Sequence, residues 1–256
     1  MRTELICFSD LHISPRTVKN VSEVLQQITA DILDRQPYAV ICVGDIGDFA
    51  SHNKKSAEFA TADTKLERKA VKDVLCEYLF KPLADYNDRK RALKKKCYKP
   101  VFYFCLGNHD KLEHRWLEGF FGEVAKRLNC TIHVCDEETL VNFDDIVFFK
   151  HTFDKGISGI AHTTCAGILK DLHKTCVQGH RHVREVAEDR DLQGHKILAI
   201  CLPCATTDRP DWAAESAMKW DTGWLRLSYS YDPDEEPHYE FMEFNNDRIY
   251  ALAETC

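Results

Sequence analysis

No stretch of this chain stays apolar long enough to cross a bilayer, and its first residues, Met1-Arg2-Thr3-Glu4, lead straight into a strand-like run without an export leader. A membrane span and a signal peptide are therefore not expected, and a cytoplasmic setting is. Internal repeats and low-complexity segments are missing as well, so neither a solenoid nor a disordered array is expected. Positive charge is not in excess: 34 Lys and Arg stand against 41 Asp and Glu, a formal net charge of −7. That balance disfavours a protein that coats nucleic acid nonspecifically; it does not exclude an enzyme with a local basic edge, and bound cations can offset many of the carboxylates.

What is present is ordinary for a globular chain. The 256 residues are 44% hydrophobic and 29% charged, enough for one sizeable core and a single domain over 1–256. Twelve cysteines invite a disulfide reading, but Cys7, Cys42, Cys105, Cys176 and Cys201 stand inside apolar runs, where a thiol behaves as a small hydrophobe. Reduced cysteines are expected. Cys201-Leu202-Pro203-Cys204 has zinc-like spacing but no second pair, so no structural metal is expected there.

Hydrophobic periodicity orders the chain. An apolar run at Leu5–Phe8 ends in Ser9-Asp10-Leu11-His12, and Val18, Val21, Leu25, Ile28 and Ile32 then recur at helical spacing, which predicts a helix over 17–35. A second buried strand over 38–43 ends in Gly44-Asp45-Ile46-Gly47-Asp48. After a polar stretch around 51–61 come a helical pattern through Val71, Val74, Leu75, Tyr78, Leu79 and Leu83, a basic run over 89–96, and a third strand at Val101–Cys105. Trp116, Phe120, Phe121, Val124 and Leu128 mark another helix. Ile146–Phe149 reads as a strand ending at His151, a loop with Gly156, Gly159 and Gly167 leads into a helix, and the run Thr175–Gln178 brings in Gly179-His180-Arg181-His182. The tail, 195–256, is mostly β, with strands over 195–201, 223–231, 238–244 and 248–252, the last two joined by an Asn245-Asn246-Asp247 turn. This order predicts a layered α/β fold with polar groups gathered beyond the carboxyl ends of its strands.

Those strand ends carry Asp10 and His12, Asp45 and Asp48, Asn108-His109-Asp110, His151, and His180 with His182. Oxygen donors mixed with imidazoles, with no thiolate among them, suit Mn²⁺, Fe or Zn²⁺ better than Ca²⁺ or a thiolate-seeking metal. They are too many for one ion. Two ions sharing a carboxylate would use them all and clamp the attacking and leaving oxygens of a phosphoryl displacement. A lone histidine is more often a satisfied core residue than a ligand, but here that reading needs separate coincidences at separate strand ends.

In chain order, D-x-H (Asp10, His12), G-D-x-x-D (Gly44, Asp45, Asp48), G-N-H-D (Gly107 to Asp110), an isolated His (His151) and G-H-x-H (Gly179, His180, His182) resemble the full signature of the calcineurin-like metallophosphoesterase family, all within residues 5–185. The resemblance implies a layered α-β-β-α sandwich and a dinuclear metal-dependent phosphoesterase. It implies one ion on Asp10, His12, Asp45 and His182, and a second on Asp45, Asn108, His151 and His180, with Asp45 bridging. His109 would protonate the leaving oxygen, held as imidazolium by the Asp48 carboxylate, while a hydroxide between the ions attacks phosphorus in line. The implied cofactors are two divalent ions, Mn²⁺ first, with Fe, Zn²⁺ or Ni²⁺ as alternatives. His162 competes with His151 for the isolated position; His151, directly at a strand end, is preferred. Asp48-Phe49-Ala50-Ser51-His52, with Trp220 and Gly223-Trp224, also resemble small phage and bacterial phosphoesterases of a DNA-repair-like type.

Protein serine/threonine phosphatases of that superfamily continue G-D-x-x-D with a phosphate-gripping arginine, and Phe49 stands in that place. The expected substrate is therefore a monoanionic diester, in nucleic acid or a nucleotide. A phosphomonoesterase using Arg115 or Arg181 is the alternative. A non-catalytic, metal-stabilised scaffold is a second alternative, against which the presence of His109 and Asp48 counts. The basic run Arg89-Lys90-Arg91 with Lys94-Lys95-Lys96 is expected to be a solvated connector, and Trp116, Phe120 and Phe121 to be core. With His151 as the ligand, His162 is expected near substrate or as a cap on the following helix, and of His52, His114, His133, His173, His195 and His238 only His52 is expected near substrate. No membrane partner is expected, and oligomeric state is not legible.

Overall fold

Alternate residues of the first strand serve different layers. In β1 (Arg2–Phe8), Leu5 and Cys7 enter one apolar core while Ile6 and Phe8 enter another. β2 (Ala39–Val43) and β3 (Val101–Cys105) behave alike, Ile41 and Val43 facing one side, Val40, Cys42, Phe102 and Phe104 the other. Burial on both faces is why these strands read as unbroken apolar runs. The computed structural model describes residues 2–52, 63–155, 161–209, 218–232 and 235–245.

One core lies between two sheets. The first sheet has the order β11-β10-β1-β2-β3-β4, in which β4 (Thr131–Cys135) continues the parallel set, while β10 (Gly223–Ser230) and β11 (His238–Glu243) add antiparallel strands beyond β1. The second has the order β5 (Val141–Phe143), β6 (Val147–Phe149), β7 (Thr175–Gln178), β9 (Lys196–Cys201), β8 (Glu185–Arg190). Phe143, Val147, Phe149, Val177, Leu198 and Ile200 pack from it onto the first sheet. The other core lies under α1 (Val18–Arg35), α2 (Thr64–Leu75), α3 (Lys81–Ala92) and α4 (His114–Leu128). On the far side, α5 (Cys165–Leu172) covers the second sheet through Cys165, Ile168 and Leu169. The layering is α-β-β-α, as expected. Among the described residues no helix is long and apolar enough to cross a membrane.

Several local expectations change. The single helical pattern over 71–86 is two helices joined by a π-helical turn, Cys76–Phe80, which carries Leu79 and Phe80 into the core; Pro82 follows it, and the Tyr78 carbonyl four residues back accepts instead from Thr29 Oγ1 at 2.7 Å. Gly167 lies inside α5, not in a loop, and its amide donates to the capping hydroxyl of Thr164. The expected strand over 248–252, most of the turn before it, and Gly156 and Gly159 fall outside the described residues, as does most of the polar stretch after His52.

Trp224 belongs to the core. It is 1% exposed, and its Nε1 donates to Asp31 Oδ2 at 2.7 Å, where the Arg226 guanidinium also docks. The basic run is held at the amino-terminal edge of the first sheet. Tyr98, just after it, pairs with the Asn87 side chain and donates from its hydroxyl to Pro37 O, which precedes β2. A cavity of about 490 Å³, lined by His173, Lys174, Lys196 and Tyr231 among others, lies at this same end of the strands. The motif residues lie at the opposite end.

Candidate metal centre

Each motif follows the carboxyl end of a strand, and the chain turns there through conformations that non-glycine residues rarely adopt. Asp10 (φ 55°), His12 (φ 47°), Asp45 (φ 50°), His180 (φ 67°) and His182 (φ 59°) are all left-handed. Each such residue costs on the order of 1–3 kcal/mol, so the surroundings must fix it. They do so through main-chain amides: Asp10 N donates to Gly44 O and His12 N to Asp45 O, both at 3.0 Å, and His180 N donates to Asp10 Oδ2 at 2.9 Å. Crowding requires glycine at several of these turns, Gly179 among them, where a Cβ would sit 1.9 Å from Ser9 Oγ. A Cβ on Gly44 would sit 2.2 Å from His151 Nδ1, and one on Gly107 would sit 2.0 Å from Asp45 Oδ1.

The result is two groups of donors. Asp10, His12 and His182 form one, with His182 Nε2 3.1 Å from Asp10 Oδ1 and 3.2 Å from His12 Nε2. Asp45, His151 and His180 form the other, with His151 Nε2 3.2 Å from Asp45 Oδ2 and 3.2 Å from Asn108 Oδ1. Asp45 Oδ2 is also 3.9 Å from His12 Nε2, so one carboxylate oxygen faces both groups. His151 donates from Nδ1 to Val43 O at 2.7 Å, which leaves its Nε2 turned into the centre. His162 stands apart, its Nε2 3.1 Å from Asp171 of α5.

The electrostatics follow from burial and pairing. Burial alone would raise the buried carboxyls, but imidazoles outweigh it: His182 leads in bringing Asp10 down to about 2, and His151 leads in holding Asp45 well below the usual range. Burial would lower His151, yet Asp45 lifts it to about 10. His180 is lowered, by burial and then by the neighbouring His151. His109 likewise resists burial and rises to about 10, chiefly through Asp48. Its closest partner differs from expectation: Nδ1 donates to the main-chain oxygen of Asp48 at 2.6 Å, while the Asp48 carboxylate lies 3.4 Å away. That carboxylate also lies 3.7 Å from His12 Nδ1.

Asp110 is not among the donors facing the centre. Its buried carboxylate accepts the amides of Ile46 and Gly47 at 3.0 Å and of Gly107 at 3.1 Å, stapling the second motif to the third. Burial, then Asp45, push it up to about 6. His52 is held by Glu113, Nε2 to Oε1 at 2.7 Å, and Glu113 is gripped in turn by Arg68. Arg181 is engaged by the Glu185 carboxylate. Sequence reasoning missed Arg16, Thr206 and Asp208. With Trp220 they line a small recess of about 20 Å³ beside His12 and Asp48. Arg16, four residues after His12 in the same loop, was the one available signal. The C-x-x-C segment does not act as a pair: Cys201 Sγ meets Cys165 Sγ at 3.1 Å, whereas the Cys204 thiol points at the carbonyls of Thr206 and Asp221.

Two groups of carboxylate oxygens and imidazole nitrogens, each within 4.8 Å of its fellows and free of thiolate, fit a pair of divalent cations. Matching the calcineurin-like phosphoesterase family over residues 4–247, the chain belongs to that family, and it is accordingly a metal-dependent phosphoesterase, a hydrolase. No curated protein is similar to it in sequence. Among solved structures, it is similar to GAP50, the anchor in the inner membrane complex of Plasmodium, with a TM-score of 0.43 and 11% identity over 96% of this chain and 85% of that one. It is also similar to a dimetal phosphatase from Danio rerio, with a TM-score of 0.36 and 9% identity over 95% of this chain and 99% of that one.

Proposed function

We propose that the protein hydrolyses phosphodiesters, in nucleic acid or a nucleotide, at a centre of two divalent cations, Mn²⁺ in the first instance. The observation that carries this reading is the placement of Asp45 Oδ2, 3.2 Å from His151 Nε2 and 3.9 Å from His12 Nε2, between the two donor groups. Asp10, His12 and His182 would hold one cation, Asn108, His151 and His180 the other, and Asp45 would serve both. Such a pair supplies Lewis-acid activation of water and neutralises charge on the phosphoryl oxygens. The chain's own groups do the rest. His109, its Nδ1 engaged by Asp48, offers a protonated Nε2 to the departing oxygen, and the Asp48 carboxylate keeps the ring charged. A cytoplasmic setting and one working domain over 1–256 belong to the same reading, in keeping with cysteines that stand as free thiols.

Preference for a diester rests on what surrounds the centre. Phe49 is 2% exposed and Arg181 is tied to Glu185, so neither offers a dianionic monoester the bidentate partner it needs. Arg16 favours a second reading, a phosphomonoesterase on a nucleotide or small metabolite, because it lines the recess beside His12 and Asp48. Hydrolysis of bis-p-nitrophenyl phosphate and p-nitrophenyl phosphate by one Mn²⁺-loaded preparation separates the two. Faster diester cleavage is expected. Faster monoester cleavage would replace the first reading by the second, and turnover of neither, with two metals bound, would favour a scaffold.

A further inference from the structure

Away from the metal centre, one pair of thiols is built into a reactive setting. Cys165 opens α5 and Cys201 closes β9; both are fully buried, and their sulfurs lie 3.1 Å apart. The Cys201 sulfur receives three donors: the Cys165 thiol, the Gln178 amide at 3.0 Å and the Arg181 guanidinium at 3.6 Å. The Cys165 hydrogen bond, with Gln178 and Arg181, lowers the Cys201 thiol against the effect of burial, while the same bond and burial raise Cys165. The donors gathered on Cys201 make it the sulfur that gives up its proton more readily, with the Cys165 thiol as its partner. Two of the three donors flank or lie within the last motif. Gln178 ends β7, and Arg181 stands between His180 and His182.

A metal is the rival occupant, since Glu185 completes a triad with the two thiols. Two features count against it. The Glu185 carboxylate is already engaged by Arg181 and by the amide of Cys165, which places a guanidinium where the cation would sit. Moreover, Zn–S bonds of about 2.3 Å in a tetrahedral site hold sulfurs about 3.8 Å apart, wider than the 3.1 Å found.

We propose that Cys165 and Cys201 are a modification site, a dithiol that peroxide converts to a disulfide, and that this bond weakens the hold of Cys201 on Gln178 and Arg181 beneath the His180–His182 loop. The Cys201 thiolate attacks one peroxide oxygen, the O–O bond breaks, and the departing hydroxide takes a proton from solvent to leave as water. Cys201 is then a sulfenic acid. The Cys165 sulfur attacks it, the S–O bond breaks, and the Cys165 proton leaves with the hydroxyl as a second water. Two thiol sulfurs are oxidised and one peroxide is reduced to two waters. Closing 3.1 Å to a disulfide length of about 2.05 Å moves the sulfurs by about 1 Å and takes from Cys201 a lone pair that accepts from Gln178 and Arg181. The effect on activity, but not the bond itself, rests on the assignment of His180 and His182 as ligands.

The test is peptide mapping by mass spectrometry of the Mn²⁺-loaded full chain, treated with hydrogen peroxide and alkylated under denaturing conditions without reductant. A Cys165–Cys201 linked peptide is expected, reversed by dithiothreitol and absent in Cys165→Ser. Hydrolysis of the better nitrophenyl ester should fall about tenfold with linkage and recover with the reductant, since a 1 Å displacement at a catalytic centre can cost about 10²-fold and the loop takes up part of it. Because peroxide can also attack the metal centre, the linked peptide decides the chemistry, and the wild-type mapping decides it even if the variant does not fold. Both thiols still alkylated after peroxide, Cys201 found as an unlinked sulfinic acid, or one equivalent of Zn²⁺ shielding both thiols would overturn the site. A linked peptide with unchanged hydrolysis would overturn its coupling to the loop.

Discussion

His151 donates from Nδ1 to the main-chain oxygen of Val43, 2.7 Å away, and this single bond fixes which nitrogen it can offer. The remaining nitrogen, Nε2, faces Asp45 and is protonated in the metal-free protein, because Asp45 outweighs burial and lifts the ring to about 10. A cation bound at Nε2 must displace that proton. Mn²⁺ affinity should therefore rise with pH from about 7 towards about 10, with proton release measured by calorimetry in two buffers of different ionisation enthalpy. Stability of the metal-free protein runs the other way. The folded pKa lies above the unfolded one, so the contribution of the His151–Asp45 pair is complete below the ordinary histidine range and is lost as pH rises through about 10. Affinity independent of pH, with no proton release, would contradict the assignment.

Gly107→Ala places a methyl group 2.0 Å from Asp45 Oδ1 and 2.5 Å from Asp45 N. Neither the Asp45 backbone nor its side chain can yield without displacing the carboxylate proposed to be shared. Metal content, measured by inductively coupled plasma mass spectrometry, should fall below two per chain, and activity by about 10²-fold or more. Circular dichroism should show the fold retained.

Asp110→Asn leaves one oxygen and one NH₂ where a carboxylate accepted three amides. At least one N–H then faces a donor in a fully buried site, so urea unfolding should show a loss of roughly 1–3 kcal/mol.

Asp31→Ala provides the contrast. It strips the buried indole N–H of Trp224 of its acceptor and leaves Arg226, about a quarter exposed, with only the outer Glu240. Stability should fall by roughly 2–3 kcal/mol, with kcat/KM unchanged, since none of the three side chains is among the donors of the metal centre. A selective loss of activity would instead give Trp224 the functional part that its resemblance to DNA-repair-like enzymes suggested.

β1, β2 and β3 were legible because burial on both faces makes them continuous apolar runs, and the motif residues stood out as the polar groups that end those runs. β4, β5 and β8 were not. β4 and β8 are half-exposed edge strands with polar or charged faces, and β5 has only three residues, so none carries a clear period. Within the centre, residue types were readable but directions were not. That Asp110 turns back to staple two loops, and that His109 bonds the main chain of Asp48 more closely than its carboxylate, depends on left-handed turns that no spacing reveals. The Cys165–Cys201 contact joins positions far apart in the chain, and the nearer Cys204 offered a false partner.

If His109 delivers the proton to the leaving oxygen, its removal must hurt poor leaving groups more than good ones. His109→Ala should be compared with the parent on a dinucleotide, whose alkoxide needs a proton to depart, and on bis-p-nitrophenyl phosphate, whose nitrophenolate hardly does. With two metals bound in each, kcat should fall by about 10²–10⁴-fold on the dinucleotide and far less on the nitrophenyl diester. Equal losses on both would contradict the account, since His109 would then serve the metals or the fold instead of the departing group.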